Sequence, residues 1–241
     1  MKILAIAKRE IASYFHTSSG YGIAAIFLGL IGYGFWRMVD SLAHFPAATL
    51  RPAAMLFGTT LYWLAMLSLP PMLTMRLFAE ERKTGTLSLL LSAPVSSAEI
   101  VLGKFLGTYA IFLGIWTPTI AYSGVLRRFG TSAAVDLAPL ACGYLGTALL
   151  GAFFLSVGLF ASLCSRHQLV AGLLCVTATG ALFYSGLPLH SLPAFDALSA
   201  VRHMADFARG TVDTRVVVWY LTSTGLMLSL SALLLEFRRL A

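Results

Sequence analysis

Apolar residues run along this chain in long, nearly charge-free stretches, and polar residues collect between them. Six stretches reach the ~18 residues that a helix needs to cross the hydrocarbon core of a bilayer. They are Thr17–Trp36, Pro52–Met75, Phe105–Leu126, Leu137–Ser165, His167–Phe195 and Val216–Leu235. None contains an Asp or a Glu. The short segments of alternating polarity that mark a membrane β-barrel are missing. The pattern predicts an all-α integral membrane protein, with residues 1–241 forming one domain of six transmembrane helices.

The segments between the runs carry patterns of their own. Residues 1–16 read as an amphipathic elbow helix, with Leu4, Ala7, Ile11 and Tyr14/Phe15 at helical spacing and Lys2, Arg9 and Ser13 elsewhere. Residues 196–215 read as an outer interfacial helix. Its apolar stripe would be Leu198, Val201, Ala205 and Ala208, with Arg202, Asp206 and Arg209 on another face. Residues 77–98 form a polar segment between the second and third runs. Glu80, Glu81, Arg82 and Lys83 continue the second run as a helix, and Gly85 stands where a helix ends. Thr86 can cap a short helix with Leu87, Leu90 and Leu91 on one face, and Pro94 closes it. Ser96 and Glu99 then make a capping box that opens the helix of the third run. A Leu ridge facing water is costly, so it predicts docking onto a membrane surface or a groove on a partner.

Composition narrows the class. Apolar residues make up 58% and charged residues 11% of the chain, whereas soluble domains are about 25% charged. A soluble enzyme is excluded. The net charge of +7 suggests nucleic-acid binding until its carriers are placed. They stand singly or in pairs at the ends of apolar runs, as membrane anchors do. Ten of the 17 Lys and Arg residues, including all four Lys, fall on the side of the two termini. That bias places both termini in the cytoplasm. Gly is frequent in the runs, as at Gly103, Gly107, Gly143, Gly146 and Gly151, and predicts close helix contacts within or between subunits.

Catalytic chemistry finds no footing in these residues. Cys142, Cys164 and Cys175 lie in apolar runs without C-x-x-C spacing, and the five His are scattered. Gly103-Lys104 lacks the upstream glycine loop of a nucleotide-binding motif. Acid-free runs also argue against an ion-coupled transporter.

The stretch Met75-Arg76-Leu77-Phe78-Ala79-Glu80-Glu81-Arg82, followed by Thr84-Gly85-Thr86-Leu87, Ala93-Pro94-Val95 and Gly103-Lys104-Phe105, resembles the ABC-2 class of ABC transporter permeases. Within it the chain is most similar to the permeases of gliding motility and nitrous-oxide-reductase maturation. Lys8-Arg9-Glu10 with Tyr14-Phe15, and the stretch from His203 to Asp213, extend the likeness over nearly the whole chain. The resemblance implies a type V exporter-like fold with an elbow helix and a cytoplasmic coupling helix, in the inner (plasma) membrane. It assigns ATPase coupling to Glu80, Glu81, Arg82, Gly85, Thr86, Leu87, Leu90, Leu91 and Pro94. The partners it implies are two copies of an ABC ATPase and a second permease, identical or homologous. A periplasmic-domain auxiliary protein can join them. ATP and Mg would be bound by the ATPase, leaving this chain without cofactor, metal or enzymatic activity. An alternative is a permease-type scaffold that transports nothing and energises an envelope assembly such as gliding machinery.

Overall fold

The computed structural model describes residues 2–44, 52–83, 85–86, 95–129, 137–184 and 199–240, and no strand occurs among them. The helices are α1 (Lys2–His16), α2 (Ser18–His44), α3 (Pro52–Gly58), α4 (Thr60–Thr74), α5 (Ala79–Lys83) and α6 (Ser97–Trp116). They continue as α7 (Ile120–Phe129), α8 (Leu137–Cys164), α9 (Gln168–Tyr184), α10 (Ala200–Ala208) and α11 (Thr214–Leu240). Among the described residues five helical stretches are long and apolar enough to cross a membrane: Gly20–Ser41, Thr60–Lys83, Ser97–Leu126, Leu137–Cys164 and Thr214–Arg239. The predicted run His167–Phe195 yields the 17-residue α9, about 25 Å long at 1.5 Å per residue. Its end lies outside the described residues.

Two runs are more broken than their hydropathy predicts. Pro52–Met75 divides at Thr59, which has extended backbone and accepts a hydrogen bond from Tyr62 N through its side chain. Hydropathy does not register a capping side chain inside an apolar run. In the third run Pro118 sits in a 3-10 turn, Thr117–Thr119, between α6 and α7.

The core is organised around α8, which packs against α4, α6, α9, α10 and α11. Its glycines explain how so many neighbours fit. A side chain at Gly143 would strike Phe57, one at Gly146 would meet Phe207, and one at Gly151 would overlap Phe112. Each Gly is thus a notch for an aromatic ring of a neighbouring helix, and all three contacts lie within the chain. The windows of α4, α6 and α8 are 61–67% buried, against 17% for α2 and α11, which therefore lie at the periphery. The outward apolar side chains of α2, α9 and α11, such as Ile26, Leu169 and Phe237, face away from the protein.

Helix α10 shows a different buried face from the predicted one. His203, Met204, Phe207 and Ala208 turn inward, whereas Ala205 is exposed and Val201 only partly covered. The histidine can face the core because its Nδ1 lies 3.2 Å from the Tyr220 hydroxyl. Asp206 forms an ion pair with Arg209, at 3.3 Å and three residues on. On helix α1 the predicted stripe holds at Ala7, Ile11 and Tyr14, which pack inward, and fails at its edges. Ile6, Ala7, Glu10 and Ile11 turn towards the protein, while Leu4 and Phe15 are exposed. The cause is α6, where Gly103 and Gly107 admit Ile6 and the Ala7–Glu10 backbone closely.

Candidate functional site

The predicted coupling segment leaves α4 through the turn Met75–Phe78 and enters α5. A five-residue helix has little stability of its own, so its position is set by side chains reaching in from other elements. Three anchors fix it.

The first is Ser162, fully buried near the end of α8. Its hydroxyl accepts from the backbone N–H groups of Phe78 and Ala79 at 3.1 and 3.2 Å. It donates to Met75 O at 3.5 Å. N–H groups that open a short helix are normally capped locally; here the cap comes from a residue more than eighty positions away.

The second is Arg82, whose Nη1 donates to Leu163 O at 3.0 Å and Ser165 O at 3.2 Å. Those carbonyls close α8, where a cation is favoured by the helix dipole and by unpaired acceptors. Arg166 and Arg238 lie within electrostatic range of the same guanidinium.

The third is Lys104 on α6, only 2% exposed. Its ammonium donates to Leu77 O at 2.7 Å and to Glu81 Oε1 at 2.9 Å. It lies 3.6 Å from Glu10 Oε2 on α1 and 4.9 Å from the centre of the Phe78 ring. Arg9 reaches the same Glu81 oxygen at 3.6 Å. One buried ammonium thereby joins α1, the α4–α5 turn, α5 and α6.

Of the predicted coupling residues, Glu81 and Arg82 are drawn into these anchors. Glu80 is exposed beside them. Gly85 adopts φ +74°, as its place after α5 requires, and the Thr86 hydroxyl donates to Glu81 O at 3.4 Å. Leu87, Leu90, Leu91 and Pro94 lie outside the described residues. Beyond them the Ser96–Glu99 capping box is formed in both directions, at 2.9 and 3.2 Å. The start of α6 is tied to the end of α11 by a hydrogen bond from Ser97 Oγ to Glu236 Oε2. Arg239 also donates to Val95 O at 3.2 Å.

Sequence reasoning did not assign Ser162, Glu10 or Lys104 to this site. Lys104 carried a signal, since it is a lone charge between Ile100-Val101-Leu102-Gly103 and Phe105-Leu106, and an ionisable group in such a run points to function. Ser162 carried none, because a hydroxyl in an apolar helix commonly satisfies its own backbone.

A family model described as ABC-2 family transporter protein matches residues 4–229. The chain belongs to this family. No curated protein matches it. It is a membrane-spanning permease subunit of an ABC transporter. Permeases of this family are non-enzymatic multi-pass membrane subunits and generally work with an ABC ATPase. The match reaches the ABC-2 family as a whole and does not separate the gliding-motility and nitrous-oxide-reductase groups from other members.

Proposed function

We propose that this chain couples ATP hydrolysis by a separate ATPase to movement of a substrate across the plasma membrane, and that residues 77–98 receive the ATPase. In this reading both termini are cytoplasmic and the run His167–Phe195 is the sixth span. Two such permease subunits, identical or homologous, pair with two ATPase subunits, which bind ATP and Mg. Nucleotide-driven closure of the ATPases would push on the Leu87, Leu90 and Leu91 ridge.

One observation carries the reading. The described part of the segment is held by Lys104, Ser162 and Arg82 to α1, α6 and α8 at once. A displacement imposed on α5 cannot be absorbed by a loose loop. It must move α8, around which the other helices pack, or break buried polar contacts costing about 1–3 kcal/mol each.

The test is co-purification of the full chain with its ATPase, followed by ATPase assay. Leu90→Asp should release the ATPase or uncouple its activity. Ser229→Ala, which alters an exposed hydroxyl bonded within its own helix, should change neither. If Leu90→Asp leaves both complex and coupling intact, the segment is not the docking element.

A further inference from the structure

Beneath α1 the ionic cluster opens into a cavity of about 780 Å³, a volume typical of sites that enclose small amphiphilic ligands. Its lining changes character with depth. Along α6 it meets Lys104, then Thr108, then Ile111, passing from charge to hydroxyl to hydrocarbon over about 10 Å of helix axis. Ile23 of α2 and Met72 and Leu73 of α4 complete the apolar end. The outer wall is α1, whose opposite face exposes Leu4 and Phe15, as expected of a helix resting at the headgroup level of a bilayer.

At the polar end the charges cancel. Arg9, Arg76 and Lys104 stand against Glu10, Glu80 and Glu81. A ligand of one sign would meet as much repulsion as attraction there. A net-neutral group carrying both signs finds complementary partners, an anionic centre at the guanidiniums and a hydrogen-bonding cation at the carboxylates.

We propose that this cavity is a binding site for a zwitterionic phospholipid whose headgroup bears a primary ammonium. The phosphate would lie towards Arg9 and Arg76, and the ammonium towards Glu10 and Glu80. The start of an acyl chain would run between Ile23, Met72 and Ile111. Met72 is a partly exposed, flexible side chain suited to a wall that adapts to a chain. The site does not depend on ATPase docking and stands or falls without it.

The full chain, purified in detergent, is incubated with equal amounts of phosphatidylethanolamine, phosphatidylcholine and phosphatidylglycerol. Retained lipid is counted by native mass spectrometry. Phosphatidylethanolamine carrying a photoreactive acyl chain then locates the contact. Retention of phosphatidylethanolamine should exceed that of either other lipid by about fivefold, with cross-links on peptides containing Ile23, Met72 or Ile111. Met72→Trp fills the apolar end from a partly exposed position and should cut retention about fivefold. Val176→Trp, on the outer face of α9, should not. If Met72→Trp elutes as an aggregate, Ser13→Trp blocks the polar end instead; if both aggregate, the cross-link map of the wild-type chain decides. Equal retention of the three lipids, a preference for phosphatidylglycerol, or cross-links confined to the outer faces of α9 and α11 would overturn the assignment.

Discussion

Lys104→Met tests whether the buried ammonium holds the segment to the helices. Methionine keeps the length and apolar stem of lysine but removes its charge and three donors. Two hydrogen bonds disappear, to Leu77 O at 2.7 Å and Glu81 at 2.9 Å. Glu81 and Glu10 then lose the ammonium they share, while Arg9 stays 3.6 Å from Glu81. Breaking a buried pair on one side costs about 3–5 kcal/mol. Here Glu81 and Glu10 keep 21% and 20% of their side-chain surface, so water recovers part of that cost and leaves about 2–3 kcal/mol. The uncovered Leu77 carbonyl adds about 1 kcal/mol. Unfolding titrated with dodecyl sulfate in mixed micelles should therefore show a loss of about 3–4 kcal/mol, a more than hundredfold shift in the folded fraction. Adding Glu81→Gln removes one stranded carboxylate and should restore about 1 kcal/mol or more. A loss below about 1 kcal/mol, or strictly additive behaviour of the two changes, would refute the buried ion cluster as an anchor.

Three further outcomes follow from other contacts. A Cβ at Gly151 would lie 2.3 Å from Phe112, whereas nothing approaches Gly29 within 4 Å; Gly151→Ala should cost about 1–3 kcal/mol in the same titration and Gly29→Ala almost nothing, and equal effects would argue against the notches. Ser162→Ala strips the shared acceptor from Phe78 and Ala79, so backbone hydrogen exchange in residues 78–83 should accelerate about tenfold or more, and unchanged exchange would show that the hydroxyl is no anchor. Reporter fusions at Met1 and Ala241 should report cytoplasm and a fusion near Thr131 the outside; termini on opposite sides would remove either α9 or another helix from the set of spans.

What the sequence made legible was local. Helix starts and stops are written in short-range chemistry, so the Ser96–Glu99 box and the positive φ of Gly85 stand where residue types and spacing put them. Hydropathy likewise found the five long apolar helices among the described residues, while the sixth run yields the shorter α9 there. Faces and breaks were less legible, because they depend on partners distant in the chain. The α10 stripe expected from spacing omits His203 and Phe207, yet Tyr220 satisfies the histidine and Phe207 fits the gap at Gly146. Hydrophobicity alone puts Leu4 and Phe15 on the α1 stripe with Ala7 and Ile11, yet the docking face is set by the gap at Gly103 and Gly107, which accepts even Glu10.

The same distinction explains how the anchored segment differs from the rest of the molecule. Within the bundle several helix contacts are rings seated on glycines, as Phe112 is at Gly151 and Phe57 at Gly143. Such contacts are non-directional, and small shifts along them cost little so long as the ring stays seated. The contacts around α5 are of the opposite kind, with charged or hydroxyl groups at 2.7–3.2 Å from named backbone atoms. Those are directional and weaken as distance and alignment depart from their optimum. A load applied to residues 77–98 thus meets stiff joints first and compliant packing afterwards. The segment, the start of α6 and the end of α8 would move together, and the relative sliding would occur deeper in the bundle, where the sequence has spaced its glycines.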